Sequence, residues 1–399
     1  MGNYTLTYGQ LYADLYQAYL DARRHKRNRP YQLRFEECLD DELKSLCDEL
    51  WTRSYKARPS FCFIINEPTK REIFAADFRD RIVHHLYYNY VHELYERTFI
   101  QDSYSCIKGR GTHYGIKRLQ QHIRRCSQNY RYPCYVLKMD IRGYFIHINR
   151  GLLFGIAIDT LRKMAARRTG KTGKMWRELI DMSFVEYLTE QIVLLNPVEN
   201  SLRIGKAVEW ETLPKNKSLF YSRSGCGLPI GNLTSQLFSN VYLNCFDQYM
   251  KRSLKCTHYG RYVDDFYIVS PDREWLKSLV PAVRVWLDEQ LGLTLHEGKI
   301  KVYNVNHGVD FLGAYLKPWR NYICNRTLRR MNKRISQLDA TVGKTVAEDR
   351  IHLSASLNSC MGVLSHYKTY RIRESITKKN TRFSAYGTFA DANMKFNPL

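Results

Sequence analysis

The chain has 399 residues, 44% of them hydrophobic, which is ample for a large buried core and allows two or three domains. Its 62 Lys+Arg against 39 Asp+Glu leave a formal charge of +23; such an excess attracts polyanions, and counterion release drives their binding, so nucleic acid is favoured over a merely basic surface. No run approaches 18 apolar residues and no apolar signal segment opens the chain, so the expectation is a cytoplasmic protein with no membrane partner.

Eleven scattered cysteines with no C-x-x-C pair argue against a zinc site and a disulfide framework. Cys134, preceding Tyr135-Val136-Leu137, reads as a small core residue. In a cytoplasmic chain the sequons at Asn3, Asn232 and Asn325 carry no meaning.

In chain order, an amphipathic stripe through Leu11, Leu15, Ala18 and Leu20 predicts a helix over 5–29 that ends in a basic run and stops at Pro30. Within that run Arg23, Arg24 and Arg27 suit a phosphate backbone. Leu39, Leu43, Leu46 and Leu50 predict a second helix over 35–53. Alternation through Phe61–Ile65 and Arg71–Phe74 predicts a hairpin, followed by a helix burying Ile82, Val83, Leu86, Tyr87 and Tyr90.

A strand at Tyr135–Ile141 leads to a turn at Gly143. Residues 150–215 read as a helical and basic insertion, with a Gly/Lys/Arg loop near 167–174 that is not a P-loop. Then come a turn at Gly225–Gly231, a helix over 233–252, a hairpin over 259–270, a helix over 273–291, and strands over 299–305 and 309–316. Beyond Pro318 the chain turns helical and basic to about 377, through Arg329, Arg330, Lys333 and Arg334. The segments 23–29, 162–174 and 326–334 are the candidates for nucleic-acid contacts. Alternating strands and helices predict an α/β sandwich of one sheet packed by helices.

The chemistry centres on Tyr262-Val263-Asp264-Asp265, between two apolar-alternating runs. Adjacent carboxylates at a hairpin tip repel unless a cation neutralises them, although Asp also favours turns for reasons of backbone alone. Asp140, ending the apolar strand Lys138-Met139-Asp140, supplies a third carboxylate. Two Mg²⁺ ions bridged by such groups are what in-line nucleotidyl transfer needs, with Mn²⁺ able to stand in.

Four stretches, Asp140–Phe145 (D-I-R-G-Y-F), Gly227–Gln236 (G-L-P-I-G-N-L-T-S-Q), Tyr262–Asp265 (Y-V-D-D) and Phe311–Leu316 (F-L-G-A-Y-L), resemble the motifs of reverse transcriptases in their order. The likeness extends upstream through Lys70–Ile73 and Asp77–Arg81 and downstream through Leu293–Lys299, covering about 60–320. The run Ile230 to Gln236, I-G-x-x-x-S-Q, is similar to that of diversity-generating retroelements, where group II intron and retron relatives usually carry P-Q-G. Pro214…Lys217-Ser218-Leu219-Phe220 also looks like that type.

The resemblance implies a right-hand polymerase with an α+β palm, fingers and a helical thumb: a basic helical segment at 1–55, fingers at 56–133, palm at 134–318 and thumb with tail at 319–399. It implies that Asp140 and Asp264 are the main metal ligands, with Asp265 completing the cluster and Ile141 lending a carbonyl. It implies nucleotide contacts at Lys70, Arg71, Phe145 (a steric gate against a ribose 2′-hydroxyl), Ile230, Gln236 and Lys299 (a proton donor to pyrophosphate), with Phe311–Leu316 as primer grip. Ile230 stands where most reverse transcriptases place a Gln that hydrogen-bonds the incoming nucleotide, which implies error-prone copying, chiefly opposite template adenines.

Implied partners are dNTPs, a template-repeat RNA, its RNA/cDNA duplex, and a small basic helical accessory variability protein, pentameric in that family. The overall cycle would be mutagenic retrohoming. A group II-like, retron or phage-defence polymerase is the rival enzyme. A degenerate fold that only holds RNA is the rival binding module; it predicts loss of a catalytic Asp.

Overall fold

The computed structural model describes residues 3–24, 29–67, 69–170, 172–342, 347–390 and 395–398. In it the chain divides into two compact units. One comprises Met1–Gly111, Lys138–Ile268 and Lys277–Ile300, the other Thr112–Leu137, Val269–Leu276 and Lys301–Leu399.

The first unit opens with α1 (Tyr8–Arg23), whose start is set by the Thr7 hydroxyl accepting from the Gln10 N–H. Pro30 does not merely stop a helix. It opens α2 (Pro30–Glu37) in the first turn, where its missing N–H has no intrahelical partner to lose. The helix expected over 35–53 is therefore divided at Cys38, and α3 (Leu39–Trp51) buries Leu43, Leu46 and Leu50.

The hairpin expected at 61–74 forms as the alternation demands. β1 (Ser60–Ile65) runs antiparallel to β2 (Arg71–Ala75), in register from Phe61↔Ala75 to Ile65↔Arg71. The helix α4 (Phe78–Glu96) follows, capped by the Asp77 carboxylate, and buries Ile82, Val83, Leu86 and Tyr87. Both α1 and α10 (Leu233–Gln248) pack against α4.

In the second unit, α5 (Thr112–Cys126) buries Ile116, Leu119 and Ile123 at helical spacing. The sequence reading passed over this helix, although its apolar stripe is legible. The chain then enters β3 (Tyr135–Asp140) and the one-turn helix α6 (Tyr144–His147).

The 150–215 insertion proves to be α7 (Arg150–Ala165), α8 (Met182–Val193), a short strand β4 (Ser201–Arg203) and α9 (Ala207–Glu211). β4 adds to β1 in parallel, so the insertion completes a three-stranded sheet in the order β2-β1-β4. Beyond α10, one π-helical turn spans Tyr249–Ser253. β5 (Tyr259–Tyr262) and β6 (Asp265–Ser270) form the expected hairpin, and α11 (Arg273–Leu291) follows. β3 lies beside β6, in the sheet order β5-β6-β3-β7 with β7 (Lys301–Asn304).

The strand expected over 309–316 is two strands, β8 (Val309–Phe311) and β9 (Ala314–Lys317), joined by a tight turn at Leu312-Gly313. Both turn residues have positive φ, 49° and 81°, which a continuous strand cannot accommodate. β10 (Arg320–Ile323) pairs with β9.

Helices α12 (Asn325–Thr341), α13 (Ala347–Ser365) and α14 (Tyr370–Lys379) carry the helical region to its expected end. They surround a core of Met331, Ile335, Leu357, Met361 and Leu364. A terminal hairpin, β11 (Gly387–Ala390) with β12 (Lys395–Pro398), closes that core with Phe396. All eleven cysteines are free. No described helix is long and apolar enough to cross a membrane.

Candidate functional site

Asp140 ends the buried strand β3 and is itself 8% exposed. Tyr262 pairs with Asp265 across the β5–β6 hairpin, so Val263 and Asp264 form a two-residue turn. Val263 has a φ of 55°, a conformation that costs a β-branched residue energy and needs support from its surroundings. The turn meets the end of β3 through the Ile141 N–H, which donates to the Asp264 carbonyl at 3.2 Å. On its other side Asp140 accepts through its carbonyl from the His296 N–H at 2.8 Å.

The three carboxylates lie close enough to feel one another's charge, Asp140 acting on both Asp264 and Asp265. Lys299, on the one-turn 3₁₀ helix Glu297–Lys299 rather than in a strand, sets its ammonium 2.7 Å from the Asp140 carboxylate. Lys138 lies 3.2 Å from the Asp265 carboxylate. Burial, reinforced by Asp140, pushes the Asp264 carboxyl up to about 7. Burial pushes Asp265 to about 6 despite Lys138. The Oδ1 of Asp265 is buried with no hydrogen-bond partner among the described residues.

Among those residues no group of three or more His, Cys, Asp or Glu side chains is gathered into a ready-made metal cage; ammonium groups already sit against two of the carboxylates. The donor chemistry nonetheless fits a hard divalent cation, because it offers oxygen ligands only and buried charge that a cation would relieve.

Beneath the turn lies a network that the sequence reading missed. Arg261 is fully buried and grips Asp247 with two hydrogen bonds, at 2.8 and 2.6 Å. It donates a third to the Val263 carbonyl at 2.8 Å. Burial alone would favour the neutral guanidine, but the Asp247 partnership outweighs it and holds Arg261 charged. Asp247 also accepts from the Tyr259 hydroxyl, and the Val263 N–H donates to the Ser105 hydroxyl. The available signal was an arginine inside an apolar strand, one residue before the motif.

Of the expected nucleotide contacts, Arg71 opens β2, Lys70 precedes it, and Ile230 meets it through a backbone hydrogen bond. Arg71 and Ile73 are half-exposed while Glu72 and Phe74 are buried, the alternation of a strand with one packed face. Lys70 hydrogen-bonds Thr212 and Arg71 hydrogen-bonds Thr69, while Nε of Arg71 is buried without a partner among the described residues. Glu72 accepts from the Ser218 hydroxyl and the Leu219 N–H, pinning the 218–220 segment to the strand. The Phe74 N–H donates to the Ile230 carbonyl at 2.8 Å. Phe145, half-buried on α6, accepts through its carbonyl from the Leu228 N–H. Gln236 is exposed on the first turns of α10.

The remaining candidates divide. Arg23 is held by Glu36 at 2.9 Å and Arg24 by Asp21 at 3.2 Å, so both carry local partners. Arg27 lies outside the described residues. Arg329, Arg330, Lys333 and Arg334 are exposed on α12, opposite the buried Met331 and Ile335. Phe311–Leu316 is the β8–β9 turn described above.

Comparison with known proteins gives a family match and several more distant likenesses. Residues 67–316 match the family described as reverse transcriptase (RNA-dependent DNA polymerase). Protein YkfC of Escherichia coli (strain K12) is 25% identical over 312 residues, covering 69% of this chain and 71% of that protein. Among solved structures, apo telomerase from Candida tropicalis aligns with a TM-score of 0.47 at 10% identity, covering 82% of this chain and 63% of that one. Telomerase from Candida albicans, in complex with the TWJ fragment of telomeric RNA, aligns at 0.42 and 11% identity, covering 86% and 65%. The chain spans just under two thirds of the length of those telomerase chains. With mixed helices and sheets, three converging carboxylates and a family match across most of its length, the chain belongs to the reverse transcriptase (RNA-dependent DNA polymerase) family.

Proposed function

We propose that this chain copies RNA into DNA at a centre formed by Asp140, Asp264 and Asp265. The contact from the Ile141 N–H to the Asp264 carbonyl carries the reading, since it joins the end of β3 to the Asp pair. Reverse transcriptase domains generally work with divalent metals. Two Mg²⁺ ions, replaceable by Mn²⁺, would be held by the three aspartates and the Ile141 carbonyl, supplying charge neutralisation and an activated 3′-hydroxyl.

The chain's own residues then have separable tasks. Lys70 and Arg71 hold the triphosphate through charge-assisted hydrogen bonds. Phe145 closes the space of a ribose 2′-hydroxyl. The primer 3′-oxygen bonds to the α-phosphorus as the bond to pyrophosphate breaks, and Lys299 donates a proton to that leaving group. The β8–β9 turn steadies the primer, and the exposed basic face of α12 follows the duplex backbone.

Within the family we read the chain as the diversity-generating retroelement type, using a template-repeat RNA and a pentameric accessory protein for mutagenic retrohoming. Ile230 supports this. Its side chain has no polar atom and its carbonyl is already taken by Phe74, so correct pairing geometry gains no hydrogen bond there over incorrect geometry.

The test is primer extension on an RNA template with product sequencing. The expected result is Mg²⁺-dependent cDNA, lost by at least a thousandfold, roughly 4 kcal/mol or more, in Asp264→Ala/Asp265→Ala. Errors should concentrate at template adenines and fall several-fold in Ile230→Gln. Faithful wild-type cDNA would leave the polymerase standing and favour a group II-like, retron or defence enzyme. No synthesis, with or without element RNA and accessory protein, would favour an RNA-holding module.

A further inference from the structure

At the end of α10 remote from the Ile230–Gln236 motif, the first unit contains a cavity of about 720 Å³. α10 has 16 residues, so this cavity is about 20 Å along the helix from its first turn. Its walls are three helix C-termini: Arg97 and Thr98 beyond α4, the last turns of α7, and the end of α10 with its π-helical turn.

Among the described residues five cations line it, Arg97, Lys163, Arg167, Arg168 and Arg252, and no carboxylate does. Helix ends account for part of this. Each C-terminus carries about half a negative charge, so three offset roughly one and a half positive charges. Glu93, paired with Arg97 at 2.9 Å, offsets one more. About half of the positive charge is left without local compensation by that estimate.

Two of the five are tied in place, Arg97 over the Trp176 ring at 5.6 Å and Arg168 by the Gly173 carbonyl at 3.1 Å. Lys163, Arg167 and Arg252 are exposed, and their side chains have no hydrogen-bond or ion-pair partner among the described residues. Met164 is the one large apolar side chain in the lining. A protein partner needs an apolar interface centre, whereas a wall of guanidinium and ammonium groups suits phosphates.

We propose that this cavity binds the backbone phosphates of a folded RNA segment outside the template–primer duplex. The proposal rests on the polymerase reading only in taking RNA to be the substrate.

The test uses the full chain and two probes: a short RNA/DNA hybrid, and the same hybrid with its RNA strand continued into a stable hairpin. The wild type should bind the extended probe more tightly. Lys163→Ser/Arg167→Ser/Arg252→Ser should lose that gain by roughly tenfold or more, with the salt slope of binding reduced by about two to three. Affinity for the short hybrid and the primer-extension rate on it should not change. Retention of the gain overturns the proposal, as does equal loss on both probes or displacement of the hairpin by poly-glutamate as readily as by RNA. If the triple variant fails to fold, Lys163→Ser alone must lower the slope by about one, and an unchanged slope overturns the proposal. A wild type that binds the hairpin but extends no primer would sink the polymerase reading and leave this one intact.

Discussion

Arg261 shows how a single buried side chain can support a strained turn. The guanidinium is enclosed, bonded twice to Asp247, and spends a third donor on the carbonyl of Val263, the positive-φ residue beside the Asp pair. Removing one partner of a buried pair leaves the other charge uncompensated, so Arg261→Met should cost about 3–5 kcal/mol of stability, measured by denaturant unfolding. Arg261→Lys keeps the charge but not the planar fork. It should remain folded while losing kcat on primer extension far more than it changes the KM for dNTP. A variant with unchanged kcat would show that Val263 needs no such support. On the function proposed above, Ile230 would act at the same scale by what it lacks: a side chain able to form a hydrogen bond that rewards correct geometry.

At the scale of elements, the turn before α10 is pressed onto β2. Gly231 has a φ of 132°, and a Cβ there would lie 2.6 Å from the Phe74 carbonyl oxygen and 2.9 Å from the Ile73 side chain. Backbone cannot yield as a flexible side chain can, so Gly231→Ala must push the turn off the strand that carries Arg71. The expected outcome is a rise in KM for dNTP of at least tenfold, with the melting temperature of the whole chain little changed. An unaltered KM would mean that the turn and the strand act independently. The same strand is held from behind by Glu72, so the 218–220 segment, β2 and the Ile230 turn form one packed element. Glu72 and Ser218 are 146 residues apart in sequence. Periodicity could announce each strand and helix but not their meeting.

Across the whole molecule, Asp80 contributes to the pH dependence of stability away from the aspartate cluster. It is 1% exposed and accepts from the Tyr55 hydroxyl and the Arg58 N–H, each at 2.8 Å. Burial raises it to about 6 from 3.8. Between those values the folded chain binds more protons than the unfolded one, so this contribution is present at low pH and lost as pH rises through about 6. Asp80→Asn removes it. The stability difference between wild type and variant should therefore move by about 1 kcal/mol in favour of the wild type from pH 7.5 to pH 5. A pH-independent difference in denaturant titrations would place the Asp80 proton elsewhere.

The sequence alone determined most of the strands and helices, though not α5, and singled out the three aspartates as candidates, because alternation, helical spacing and the Asp pair at a hairpin tip are local properties of the chain. It also announced the basic run carried by α12, since Arg329, Arg330, Lys333 and Arg334 stand close together along the chain. Only the tertiary structure decided that β4 from the insertion completes the β2-β1-β4 sheet, that Arg261 and Asp247 support the turn, and that Lys299 and Lys138 lie against two of the aspartates. Those meetings join residues far apart along the chain. They depend on which burials and hydrogen bonds can be satisfied together, a condition that no local pattern of residues encodes.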